Sequence, residues 1–100
     1  MSVYLVVTYD IADPKAYETY PAGVLPLVLK HGAEVLVADY AAQAIEGRAP
    51  SVTVVLRFKS EEAARTWYND PAYTPVKKIR LDSTRNTCIV LAKEFTPPSA

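Results

Sequence analysis

Hydrophobic and polar positions fall into six blocks along the chain. Residues 3–9 (VYLVVTY) are β-branched and aromatic at both parities, the pattern of a strand covered on both faces. Asp10 closes that run. Asp13-Pro14 then predicts a helix start: the carboxylate accepts hydrogen bonds from the first free N–H groups, and proline in the first turn forfeits none. Tyr17, Tyr20, Val24, Leu27, Val28 and His31 follow at spacings of three and four and mark one buried stripe. Pro21 and Pro26 fall inside it, so a kink or two short helices is expected in place of one straight rod. Gly32 suits the left-handed residue that ends a helix. Residues 34–40 (EVLVADY) read as the second strand, 41–51 as a connector, and 52–58 (VTVVLRF) as the third strand, with Val52, Val54, Leu56 and Phe58 on one face. Ser60-Glu61-Glu62 opens a helix with a capping hydroxyl and two acids at the positive end of its dipole. Ala63, Ala64, Trp67 and Tyr68 form its apolar side. Asn69-Asp70-Pro71 breaks it, a further helix runs from Ala72 to about Leu81, and residues 86–95 (NTCIVLAKEF) form the last strand.

Strand, helix, strand, strand, helix, strand is the ferredoxin-like βαββαβ order of an α+β fold: a four-stranded antiparallel sheet with its helices on one face. Residues 1–96 make one domain and 97–100 a frayed tail. Strands one and three are expected at the centre, side by side and parallel. That register would put Asp10 and Arg57 near the same strand ends, where an ion pair would fix register. The helices cover one face only, yet strand one shows Val3, Leu5, Val7 and Tyr9 on one side and Tyr4, Val6 and Thr8 on the other. Strand four sets Ile89 and Leu91 against Cys88, Val90 and Ala92. So broad an apolar sheet left in water predicts a homodimer joined sheet to sheet, a dimeric α/β barrel.

Composition narrows the function classes. The chain has 100 residues, with 11 Lys+Arg against 11 Asp+Glu, which supports one domain and argues against a nucleic-acid or anionic-membrane surface. No run approaches the ~18 apolar residues of a membrane span. Residues 1–4 lack the basic stretch of a signal peptide, so a cytoplasmic location is expected. One Cys and one His do not furnish a dedicated metal site, and neither a metal nor a cofactor is expected. Three glycines, at 23, 32 and 47, make no phosphate-cradling loop, and there is no Gly-x-Ser-x-Gly elbow.

Asp13-Pro14 with Tyr17 and Tyr20, His31-Gly32, Glu46-Gly47, and above all the run from Phe58 through Ser60-Glu61-Glu62-Ala63-Ala64-Arg65-Thr66-Trp67-Tyr68 to Pro71 and Tyr73, then Arg80, form a pattern covering nearly the whole chain. It resembles an uncharacterised bacterial family, "domain of unknown function thirteen-thirty", of the dimeric α/β-barrel superfamily. Ala33 stands where that family usually has a second glycine, and His31 where it usually has Tyr or Phe. The resemblance implies a ferredoxin-like protomer, a dimer, and a small pocket between sheet and helices. It implies no established reaction; superfamily neighbours include cofactor-free monooxygenases, haem-degrading enzymes, isomerases and ligand-sensing domains. Haem chemistry is not expected, because strand one offers Thr8 in place of an Asn and the later helix has no His.

Two residues are candidates for chemistry. Arg80 lies four residues after Val76 and seven after Tyr73, so it shares their inward helical face. There its planar fork would hold a carboxylate or an enolate oxygen, the competing reading being a structural arginine bonded to backbone carbonyls or a neighbouring acid. His31 is the one histidine, the residue type used by default as a general base or acid, although in the last turn of a helix an imidazole also serves simply to cap free carbonyls. Trp67, Tyr68, Tyr73, Tyr9, Tyr17 and Tyr20 are core aromatics first. The expected ligand pocket comprises Tyr17, Trp67, Tyr73 and Arg80, for a small anionic or aromatic ligand. Glu46-Gly47-Arg48 reads as a solvated turn, and Cys88 as an inert, buried thiol. Two functions remain: a cofactor-independent monooxygenase- or isomerase-like enzyme acting on a small enolisable or aromatic acid, or a non-catalytic metabolite-binding or scaffolding dimer.

Overall fold

Strict alternation along the first strand decides which side of the sheet the helices cover. In the computed structural model, which describes residues 1–98, Val3, Leu5, Val7 and Tyr9 of β1 (Val3–Ile11) are buried and the residues between them are only half-buried. The remaining elements are α1 (Pro14–Tyr17), α2 (Tyr20–Lys30), β2 (Glu34–Asp39), β3 (Val52–Phe58), α3 (Glu61–Tyr68), α4 (Thr74–Ser83) and β4 (Thr84–Lys93). Of the expected tail, 99 and 100 lie outside the described residues. Among the described residues no helix is long and apolar enough to cross a membrane.

The sheet order is β2-β3-β1-β4, with every neighbouring pair antiparallel. Strands one and three are central and adjacent, but antiparallel and not parallel as expected from the sequence. The connection explains why: a right-handed crossover makes β1 parallel to β2, and β3, inserted between them after a reversal, must run the other way. The expected Asp10–Arg57 pair falls with it, because the two residues sit at opposite ends. Arg57 lies opposite Tyr4 and donates to Glu34 at 2.6 Å. Asp10 accepts from the Ser51 N–H at 3.0 Å and the Asn86 amide at 2.9 Å.

Local chemistry accounts for the helix ends. Asp13 accepts from the Ala16 N–H at 3.1 Å and Ser60 from the Ala63 N–H at 3.1 Å, each filling one free donor of a first turn. The first helical stretch is broken in two, α2 beginning at Tyr20-Pro21 and carrying Pro26 within it. Gly32 ends it at φ +72°, the left-handed conformation available to glycine. Gly23 has a different role: a Cβ there would lie 3.2 Å from Val76 Cγ1, so glycine lets α2 approach α4. Helix α4 starts and ends two residues later than the spacing predicts, and β4 begins at Thr84, directly after Ser83. The Ser83 carbonyl accepts from the Ala12 and Asp13 N–H groups and ties that junction to the end of β1.

The other sheet face is bare. In register across all four strands, Val37, Val55, Val6 and Val90 form one valine row, with Val37 and Val90 exposed. Cys88 lies opposite Thr8 on that face and is exposed, not buried as expected, because its parity points away from the helices.

The end of α2 is pinned to the turn before α4. Asp70 accepts from His31 Nε2 at 2.8 Å and Lys30 at 3.0 Å, and turns the chain by accepting from the Ala72 N–H at 2.9 Å. These contacts, led by His31, hold the Asp70 carboxyl well below the usual carboxylate range. A depressed native pKa contributes stability that is present above the ordinary aspartate range and is lost as pH falls through the native value. Asp70→Asn is therefore expected to melt a few degrees lower at neutral pH, with the gap closing as the buffer is acidified. Parallel melting curves that keep the same gap down to strongly acid pH would refute this linkage.

Candidate functional site

A cavity of about 360 Å³ lies between the sheet and the helices. Its floor is the helix-side face of β1 and β3, through Val7, Tyr9, Val54 and Leu56. Its walls come from all four helices, and it opens to solvent past Leu25, Val35 and Tyr40. The lining is mostly hydrocarbon and aromatic ring, with polar atoms at a few points.

Arg80 is the main one. Helix α4 presents Tyr73, Val76, Arg80 and Ser83 on one stripe, and the arginine is 1% exposed. Burial opposes its charge, but the phenol oxygens of Tyr73 and Tyr20 outweigh that and hold its pKa above the ordinary value, so it is cationic. Among the described residues no carboxylate pairs with it, and its Nε and Nη2 have no hydrogen-bond partner. Trp67 Nε1, from a second residue lining the same cavity, is also buried without a partner. The Trp67 ring stacks on Tyr73 at 4.6 Å between centroids. Buried N–H groups left without acceptors are costly, about 1–3 kcal/mol each, and all three of these nitrogens belong to residues that line the one cavity.

The phenols form two sets. Tyr20 and Tyr73 share a hydrogen bond at 2.6 Å beside Arg80. Tyr17 stands between Tyr9, to which it is hydrogen-bonded, and Tyr40, whose hydroxyl is 3.2 Å away. Burial is the first cause that pushes Tyr9, Tyr17 and Tyr20 above the ordinary phenol value, so these hydroxyls are neutral at physiological pH.

The structure brings Tyr17, Trp67, Tyr73 and Arg80 to this one cavity, with Tyr9 and Tyr20 from the wider aromatic set. It leaves out His31, which caps α2 and binds Asp70, and Tyr68, whose ring carries Lys77 Nζ at 3.7 Å. Tyr40 is the member that sequence reasoning missed. With Val35 facing inward opposite Leu56, strict alternation would turn Tyr40 outward. A bulge at Leu36 resets the parity: Val37 pairs with Val55 on the bare face, Ala38 with Val54 on the cavity side, and Tyr40 follows inward. Among the described residues no group of three His, Cys, Asp or Glu side chains is placed to hold a metal ion.

The fold is shared with solved structures of low sequence identity. A protein of unknown function from Rhodopseudomonas palustris, RPA0582, superposes with a TM-score of 0.81 at 15% identity, over 96% of this chain and 84% of that one. A dimeric ferredoxin-like protein of unknown function from Bacteroides fragilis gives 0.66 at 11%, over 93% and 96%. SnoaB, a cofactor-independent oxygenase from Streptomyces nogalater, gives 0.65 at 14%, over 99% and 95%. No curated protein matches the chain. The family profile described as "Domain of unknown function (DUF1330)" matches residues 2–93, nearly the full length, and the chain belongs to that family.

Proposed function

We propose that this protein is a homodimer that binds a small, largely apolar organic acid as its anion, in a cavity repeated in each protomer. The observation that carries this reading is Arg80: a buried cation with two unpartnered nitrogens, on an apolar cavity with no acidic partner among the described residues. A carboxylate or enolate supplies the missing charge and acceptors together, and Trp67 Nε1 adds a third donor. The apolar walls suit an aromatic or branched body, and the volume falls in the range of small-ligand pockets. Dimerisation is supported by the bare valine row and by the dimeric state named for the Bacteroides fragilis relative in fold.

A second reading, cofactor-independent oxygenase or isomerase chemistry on an enolisable or aromatic acid, is favoured by the same arginine. A buried guanidinium beside an apolar cavity stabilises a developing enolate oxygen as well as a carboxylate. It also draws on the likeness in fold to the Streptomyces nogalater oxygenase. Since His31 lies away from the cavity, a phenol would have to move the proton.

Thermal-shift measurements on wild type and Arg80→Met test the binding reading. Millimolar phenylacetate, phenylpropanoate and cinnamate are expected to raise the wild-type melting temperature by several degrees, while benzyl alcohol does not, and Arg80→Met is expected to respond to none. Equal stabilisation by acid and alcohol, or an acid response that survives in Arg80→Met, would remove Arg80 as the anion site.

A further inference from the structure

The second set of phenols says what else the ligand carries. Each phenol has one proton to donate and two lone pairs to accept with. Tyr9, Tyr17 and Tyr40 have three protons between them, and the row uses two in its hydrogen bonds. Whichever way the row is oriented, one proton remains, on Tyr9, Tyr17 or Tyr40. On Tyr40, the partly exposed end, it reaches water. On Tyr9 or Tyr17, both at least nine-tenths buried and both lining the cavity, it has only the cavity to point into. The row is thus a switchable donor: an acceptor inside the cavity draws the proton inward, and in its absence the proton is satisfied outside.

Arg80 and Trp67 offer donors only, and the Tyr20–Tyr73 pair likewise has one proton beyond its shared bond. Among the described residues the cavity is lined by no carboxylate side chain to receive a ligand's own donor. The excess of donors over charged acceptors fits a ligand with several acceptor oxygens and few hydrogens to give. A ketone oxygen is the simplest second group of that kind, since it accepts two hydrogen bonds and donates none.

We infer that the ligand is an apolar keto-acid, its carboxylate on Arg80 and its ketone oxygen accepting from the Tyr9–Tyr17–Tyr40 row. This rests on the acid-binding reading and adds the second functional group to it. The Tyr row supplies the donor for the ketone, and Arg80 supplies those for the carboxylate.

Matched pairs of acids separate the two claims: phenylalkanoates, and their analogues with a ketone in place of one methylene at successive positions, titrated into the full chain by calorimetry. One keto position is expected to bind about fivefold or more tighter than its methylene partner, the worth of one added hydrogen bond. Tyr9→Phe/Tyr17→Phe removes both inner hydroxyls and keeps both rings, and leaves only the partly exposed Tyr40 hydroxyl without its partner. It is expected to bring each keto-acid to within about twofold of its methylene partner, the comparison within each pair being read apart from any change common to both acids. Acids that bind through Arg80 with no gain from a ketone at any position overturn the keto-acid assignment and leave the acid site standing. A keto preference that survives in the double variant overturns the assignment to this row. Absence of any Arg80-dependent acid binding overturns both readings at once.

Discussion

Arg80→Met is expected to raise the melting temperature of the free protein by about 4–8 °C, corresponding to about 1 kcal/mol, while removing acid binding. An arginine kept for stability would have backbone carbonyls or an acid on its fork; here Nε and Nη2 have neither. Burying a charge in an apolar wall costs several kcal/mol before compensation, and the compensation on offer is two phenol oxygens already bonded to each other at 2.6 Å. Methionine keeps much of the packing of the methylene stem and drops the desolvated charge. Tyr20 and Tyr73 keep their shared bond. A gain in stability coupled to a loss of binding is the signature of a residue held at a site for its ligand. Scanning calorimetry checks it directly, and a fall of several degrees in the variant would show that Arg80 serves the fold instead.

Val6→Asp is expected to convert the proposed dimer to a monomer. Val6 sits between Val55 and Val90 in the row that crosses the whole bare face, so in a sheet-to-sheet dimer it lies near the middle of the interface. An unpaired buried carboxylate costs about 3–5 kcal/mol, and twofold symmetry brings in two of them, which weakens association by at least about 100-fold. Light scattering on a sizing column is expected to give wild type at twice the 11.0 kDa chain mass and the variant at the chain mass itself. The cavity lies on the opposite side of the sheet, so the monomeric variant is expected to show the same response to acids as wild type. Wild type running as a monomer at micromolar concentration would sink the dimer and the reading of the valine row with it.

These effects fall on residues that the chain announced to different degrees. The strand of residues 52–58, the Asp13-Pro14 and Ser60 helix starts, and Gly32 at the end of α2 all came from local chemistry. A cap, a proline or a left-handed glycine acts within a few residues and leaves a short-range mark. Arg80 was legible for a related reason: helical spacing ties it to Tyr73 and Val76, so one buried neighbour implies the next. His31 was legible as a titratable group, but spacing along one helix gave no account of Asp70, thirty-nine residues on, which takes it away from the cavity.

By itself the sequence determined the order of the elements, the inward faces of β1, β3 and α4, and the presence of two apolar sheet faces, because periodicity and capping are properties of neighbours in the chain. Only the tertiary structure decided the direction of β3 against β1, and with it the separation of Asp10 from Arg57, since relative strand direction depends on how the crossover is threaded. Only the tertiary structure, likewise, showed the bulge at Leu36 that turns Tyr40 into the cavity, and the lack of a partner for Arg80 Nε and Nη2. A one-residue slip in register, or a missing partner for a buried donor, is fixed by what lies across the sheet and across the core, and no spacing along the chain encodes it.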